Sequence, residues 1–446
     1  MQRKEQLTYN PLGIASHTWL RQEDNKPLLS TQRVLTANRM QNKLKTYLVG
    51  GAVRDRLLGI EVKDRDYVVV GATPKEMKAL GFQQVGADFP VFLHPDTHEE
   101  YALARTERKT GEGYHGFSVD FSPEVSLEED LLRRDLTINA MAEDASGKII
   151  DPYDGLADLR KKKLRHVSTA FREDPVRILR TARFAARFNQ FGFEIATETL
   201  ILMTEMVNNG EAGHLVTERV WQEWQTALAG SDPQIFIQVL RQCSAYQVIA
   251  PELDQRYDID TATDENPGKH GELALTVAAT LSPKGDIRFA ALLCASTSLD
   301  AIAQPEAIEW GNHLCQRLSV PKNWQQLTQL AIQHHATCHQ ALTLNAESLS
   351  WLLEATDAFR RPQRFDDFII ACEADFRARN NLSSEENCYP QATRLRQALA
   401  LAAAVEVGPL IDQGLKGPAI KSALHDLRVQ ALELMTATKR IKDQPV

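Results

Sequence analysis

Strand-forming patterns in this 446-residue chain are confined to its first third. Thr46-Tyr-Leu-Val49, Tyr67-Val-Val-Val70 and Tyr101-Ala-Leu-Ala104 are short runs rich in β-branched and aromatic residues that read as strands, with helices between them at Ala52 to Leu58 and Pro74 to Leu80. After Asp151 the strand signal fades, and windows such as Pro175 to Phe188 and Thr217 to Leu228 repeat apolar residues at helical spacing. These patterns predict an α+β chain: a mixed sheet with helices at the amino-terminal end and an all-helical remainder. The length suits roughly two to four domains. The expected division is a disordered leader over 1–43, a head over 44–150, a neck and the start of a body over 151–250, and a helical body and tail over 251–446. The polar connection Glu107 to Phe121, with Gly111, Gly113 and Gly116, has the composition of a long mobile loop.

Composition excludes several classes. With 43% hydrophobic and 25% charged residues, the chain matches a folded soluble protein, and neither a membrane span nor a signal peptide is legible. A cytoplasmic location is expected. The six cysteines are scattered and form no C-x-x-C pair, so zinc and dithiol chemistry have no sequence support. The net charge of -8 argues against a nucleic-acid partner only if charge is uniform, and it is not. Asp158 to Arg187 holds ten Lys or Arg against three acids, including Arg160, Lys161, Lys162, Lys163 and Arg165. Such a stripe is either a nucleic-acid contact or a solvated helix face.

The catalytic signal lies in the head. Gly50-Gly51 follows a strand and opens a helix, which brings bare backbone N–H groups to one spot, an arrangement that suits a triphosphate. Lys63-Asp64-Arg65-Asp66 then leads into the Val-rich strand, and strand alternation puts both carboxylates on one face. Like charges that close repel unless a cation sits between them, so the spacing predicts Mg²⁺ at Asp64 and Asp66. A lone D-x-D is more often a charged turn; the preceding strand-GG-helix shifts the balance. Glu100, at the start of the next strand, is a candidate third carboxylate, with Glu99 and Glu107 as alternatives. In Arg133-Arg134-Asp135-Leu-Thr-Ile-Asn139, Arg134 is a candidate phosphate ligand and Asp135 a candidate acceptor for a ribose hydroxyl; a surface helix cap is the bland alternative.

Leu48-Val-Gly-Gly-Ala-Val-Arg-Asp55, Lys63-Asp-Arg-Asp66, Arg133-Arg-Asp-Leu-Thr-Ile-Asn-Ala140, Asp151-Pro-Tyr-Asp-Gly-Leu-Ala-Asp-Leu159, Glu173-Asp-Pro-Val-Arg177 and Glu218-Arg-Val-Trp-Gln-Glu223 occur in that order. From about Lys45 onward the chain resembles class II tRNA nucleotidyltransferases, specifically bacterial CCA-adding enzymes of the multifunctional type. The resemblance implies a polymerase-β-like head with helical neck, body and tail, tRNA, CTP and ATP as partners, and Asp64 and Asp66 as metal ligands. It places Gly51, Arg54, Arg134, Arg180 and Arg183 against the incoming nucleotide. It does not fix whether the protein is a monomer or a homodimer.

Cytosine and adenine share an amino donor beside a ring-nitrogen acceptor, whereas uracil and guanine invert that pattern. Asp174 and Arg177, three apart at a helix start, can read the difference: Asp174 accepts from the amino group and Arg177 donates to the ring nitrogen. The resemblance assigns these positions the same task. An ordinary helix cap with an i,i+3 ion pair is the alternative for the motif in isolation.

The family pattern breaks in the tail. Multifunctional members carry an HD phosphohydrolase domain with a consecutive His-Asp, where this chain has Cys294-Ala295 in Arg288-Phe-Ala-Ala-Leu-Leu-Cys294-Ala295. Ala295 cannot ligate a metal, so His270, His335 and His339 are expected to remain in a degenerate scaffold without hydrolase activity. Rival readings are a poly(A) polymerase, an enzyme adding only CC or only A, and a non-catalytic RNA-binding protein; intact Asp64, Asp66, Arg134, Asp174 and Arg177 weigh against the last.

Overall fold

Adjacent valines in one strand, such as Val68 and Val69, are both buried only if both faces of the sheet are covered. The computed structural model, which describes residues 44–85, 91–109, 117–259, 266–297, 304–382 and 389–442, meets that condition. Seven strands form a mixed sheet: β1 (Lys45–Val49), β2 (Asp66–Val70), β3 (Gln83–Val85), β4 (Val91–Leu93), β5 (Glu100–Leu103), β8 (Ala142–Glu143) and β9 (Ile149–Ile150), in the spatial order β3-β4-β5-β2-β1-β8-β9. Val68 joins one apolar cluster with Val49, Leu127 and Leu131, while Val69 joins another with Met77, Phe92 and Tyr101 on the opposite face. β2 pairs with β1 antiparallel and with β5 parallel.

The head helices are α1 (Gly51–Leu57), α2 (Pro74–Ala79) and α3 (Leu127–Leu132). Capping boxes start two of them: Thr73 with Glu76, and Ser126 with Glu129, each side chain satisfying the other's backbone N–H. The neck helices α4 (Gly155–Lys161), α5 (Val176–Phe188), α6 (Thr197–Asn208) and α7 (Thr217–Leu228) follow, and further helices continue to Lys442. One continuous apolar cluster runs from Leu136 to Leu432, across the expected boundary near residue 250. Trp221 stands edge-on to both Phe289 and Trp324 and ties the neck to the helices beyond.

Two expectations need correction. Glu107 to Phe121 was to be a long loop, yet β6 (Thr106–Lys109) and β7 (Phe117–Asp120) pair antiparallel, from Thr106↔Asp120 to Lys109↔Phe117. Backbone ladder bonds stabilise a ribbon whatever its polarity, so glycine and charge content misread the flanks; residues 110–116, with the three glycines, lie outside the described residues, as does the expected leader 1–43. The region after Asp151 is not wholly helical either. β10 (Lys163–Leu164) pairs in parallel with β11 (Glu194–Ile195), two residues each and too short to leave a periodic signal.

Candidate active site

Sheet register assembles the site. Asp66 is the first residue of β2, and it lies opposite Val49 on one side and Glu100 on the other. Val49 is followed at once by Gly50-Gly51, so the glycine turn and the carboxylate strand open at the same edge of the sheet. Asp64, Arg65 and Asp66 are exposed there. Although solvent reaches Asp66, neighbouring protein partly desolvates its carboxyl and raises its pKa; Arg134 draws it back, and the like charge of Asp64 adds to the rise. A second acid close enough to oppose the ionisation of Asp66 fits a divalent cation, since Mg²⁺ characteristically takes one or two carboxylates and completes its shell with water and phosphate oxygens. Glu100 neighbours Asp66 in register, but among the described residues no three His, Cys, Asp or Glu side chains converge as a ready metal cage.

Gly50 has φ 68° and ψ −126°, a conformation open in practice only to glycine. A β-carbon there would fall 2.8 Å from Arg134 Nη1. Arg134 is in turn held by Asp130 at 3.2 Å and donates to the Asn139 carbonyl at 3.4 Å. Asp130 is fully buried and also binds Arg133 at 2.7 Å. Gly50→Ala therefore forces both a strained backbone and a displaced Arg134. We expect any activity served by this edge of the sheet to fall roughly tenfold or more, on a backbone cost of about 1–3 kcal/mol. Wild-type activity in this variant would detach Arg134 from the site.

The other motif residues form a seam between head and neck. Arg54, only 3% exposed, donates to Asp55 at 2.8 Å and to the Asn139 side chain, with its guanidinium over the rings of Phe184 and Phe188 at 5.2 and 5.0 Å. Asp135 is buried; it accepts from the Leu136 amide at 2.8 Å, Asn139 Nδ2 at 2.9 Å and Arg180 Nε at 2.8 Å. Burial opposes its charge, but Arg180 and Asn139 hold its carboxyl well below the usual range. Arg183 pairs with Glu223 and Arg187 reaches Asp55 at 2.8 Å. Arg180, Arg183 and Arg187 lie three and four apart on α5 and so share a face, which explains the basic stripe. It is not one surface: its helical half is paired with acids, while Arg160, Lys161 and Lys162 at the end of α4 are exposed. Gly51 opens α1 one residue beyond the strained turn.

The two expected base readers are placed differently from each other. Arg177 is 7% exposed and donates to the carbonyls of Ala170 at 2.8 Å and Arg133 at 2.6 Å, turned into the protein. Asp174 ends a 3₁₀ turn before α5; its carboxylate accepts from the Val176 amide at 3.1 Å and from both terminal nitrogens of Arg219, at 3.1 and 2.8 Å. Sequence reasoning missed Arg219, Asn139 and Asp130. Arg219 and Asn139 lie inside motifs that were legible, but nothing in spacing alone says that α7 reaches Asp174.

The tail carries its own polar cluster. Asp375 is fully buried, with His270 Nε2 at 2.6 Å from one oxygen, His339 Nε2 at 2.7 Å from the other, and Arg379 Nη2 at 3.4 Å. Tyr389 Oη lies 3.0 Å from His339 Nδ1. These residues do not fit an HD metal: Ala295 offers no ligand atom, burial and the charge of Asp375 push the Cys294 thiol well up, and both Asp375 oxygens already carry partners.

Comparison with known proteins agrees with this layout. Residues 46–165 match the family described as Poly A polymerase head domain, and residues 192–256 that described as a probable RNA and SrmB-binding site of polymerase A. The chain is 50% identical over 407 residues to the multifunctional CCA protein of Thioalkalivibrio sulfidiphilus, covering 88% of this chain and 99% of that one. It is 51% identical over 414 residues to the protein of the same name from Nitrosococcus oceani, covering 89% and 100%. The solved structure of the Bacillus stearothermophilus CCA-adding enzyme in complex with CTP shares the fold, with a TM-score of 0.64 at 22% identity over 94% of this chain and 100% of that one.

Proposed function

The chain belongs to the multifunctional CCA protein family, and from that premise we propose that it builds the CCA end of tRNA, joining CMP and AMP from CTP and ATP without a nucleic-acid template. The observation that carries this reading is the row across the sheet that sets Asp66 beside the Gly50 turn, with Asp64 two residues away. Asp64 and Asp66 would hold Mg²⁺, which when bound activates the primer 3′ hydroxyl and neutralises the departing pyrophosphate. Nucleotidyltransferases with this head generally use a divalent metal; the choice of Mg²⁺ is our reading of an all-carboxylate donor set.

The protein's own residues divide the remaining work. Gly50 and Gly51 let backbone approach the triphosphate, and Arg134, anchored by Asp130, meets its charge. Asp135 holds Arg180 and Asn139 in place, so we assign it a positioning task, with any ribose contact left to the one remaining acceptor site on Oδ2. Arg54, Arg180 and Arg183 act through the seam: they fix α5, which starts just after Asp174, relative to the carboxylates of the head. Asp174 reads the amino group of cytosine or adenine, and Arg177 shapes the pocket from beneath.

No helix among the described residues is long and apolar enough to cross a membrane. Incubating the purified protein with tRNA lacking its 3′ end, in CTP, ATP or both, tests the reading directly. Addition of two C residues in CTP alone and of CCA in the mixture supports it; a long A tract would favour the poly(A) alternative, and a stop after CC or a lone A would favour partial addition. Asp174→Ala is expected to relax base choice by roughly 10²-fold or more, read as relative kcat/KM for the four nucleotides. Unchanged selectivity would remove Asp174 from the reading site.

A further inference from the structure

Asp174 does not stand alone, and its partner comes from a different helix. Arg219, near the start of α7, closes a two-pronged fork on the Asp174 carboxylate, Nη1 to Oδ1 at 3.1 Å and Nη2 to Oδ2 at 2.8 Å. The Val176 amide takes a second place on Oδ1 at 3.1 Å. Each carboxylate oxygen offers about two acceptor sites, so Oδ1 is filled and Oδ2 keeps one. A planar fork also fixes the carboxylate plane, and with it the direction of that remaining lone pair.

We infer that Arg219 is a specificity-determining residue, forming with Asp174 one unit that admits an amino group and refuses a carbonyl. This rests on the reading of Asp174 as the base reader. Two effects follow from the fork. It aims the one open acceptor of Asp174 at an incoming amino donor. It also commits one N–H of each terminal nitrogen of Arg219, donors that could otherwise turn to O4 of uracil or O6 of guanine. Binding a wrong base thus requires breaking a charge-assisted pair, whereas the right base leaves it closed. The pair is only partly exposed, 34% for the Arg219 side chain and 23% for Asp174, so solvent screens it less than a surface ion pair.

The experiment measures kcat/KM for single incorporation of CMP, UMP, AMP and GMP into truncated tRNA by wild type, R219K, R219Q, D174A and the double variant D174A/R219Q, with melting temperature as a folding control. R219K keeps the charge and loses the fork, so we expect its C-over-U and A-over-G ratios to fall about tenfold or more, with R219Q at least as large. In D174A the two terminal nitrogens of Arg219 lose their carboxylate acceptor, so UMP and GMP incorporation should rise in absolute terms, and the double variant should lose that rise. If R219K and R219Q lower all four incorporations in the same proportion while D174A relaxes choice, Arg219 only braces the neck and the inference fails alone. If D174A keeps wild-type selectivity, the base-reader assignment fails and takes the inference with it.

Discussion

Replacing Asp64 and Asp66 together with asparagine should reduce nucleotide addition by on the order of 10³-fold or more while leaving the fold intact. The size follows from the chemistry: charge stabilisation of a phosphoryl-type transition state supplies several kcal/mol, and each 1.4 kcal/mol is a factor of about ten in rate. The sparing of the fold follows from the site. Both residues are exposed, Asp66 at the start of β2 and Asp64 two residues before it, and partial desolvation with the like charge of Asp64 outweighs the pull of Arg134 on the Asp66 carboxyl, so removing the charges relieves a net cost. The melting temperature should stay level or rise slightly, and truncated tRNA should still bind. Primer extension on a gel, run beside a thermal melt, separates the outcomes. Undiminished extension by the double variant would end the metal-carboxylate reading, and a collapsed melting temperature would show that these acids serve the fold.

The largest expected effect on stability lies far from that site. Asp375→Ala should cost about 3–5 kcal/mol, because it leaves buried His270 and half-buried His339 and Arg379 around a missing acceptor. Burial alone would raise the Asp375 carboxyl, but hydrogen bonds from His270 and His339 and the neighbouring histidine charge hold it well below the ordinary value. The linkage sign follows. A carboxyl depressed in the folded state adds stability that is complete above the unfolded pKa of about 3.9 and is lost as pH falls from there through the folded value. Wild type should therefore lose melting temperature in acid below about pH 5 more steeply than Asp375→Ala, in which that contribution is already gone. The same donor set leads us to propose that the tail has no HD hydrolase activity. Equal acid profiles for the two proteins would contradict the buried pair. Metal-dependent phosphodiesterase activity on a 2′,3′-cyclic nucleotide, persisting when Asp64 and Asp66 are removed, would contradict the lost hydrolase.

Local grammar carried much of this molecule. The three strand runs and the helical spacing of Pro175 to Phe188 are nearest-neighbour features, and each forms its element within a residue or two of the expected bounds. The D-x-D spacing is likewise local, but β2 begins only at Asp66, so Asp64 precedes the strand whose alternation was expected to align the two. Failures came where pairing between distant segments decides. Lys163–Leu164 and Glu194–Ile195 become strands only because each finds the other, and the Thr106–Lys109 ribbon exists only through Phe117–Asp120.

The sequence by itself determined that a strand-rich head precedes a helical remainder and that two carboxylates lie two residues apart at the entry to a strand, and it has Cys294-Ala295 where the resemblance places a His-Asp pair; these are matters of periodicity, spacing and residue type. Only the tertiary structure decided which charges face which. Arg177 turned inward to backbone carbonyls, Arg54 became a buried brace between Asn139 and two phenylalanine rings, and Asp174 gained Arg219 from a helix 45 residues away. Each guanidinium carries five donors on a long flexible stem, so its partner is chosen by whichever acceptor the packed core brings near, and that choice leaves no trace in local spacing.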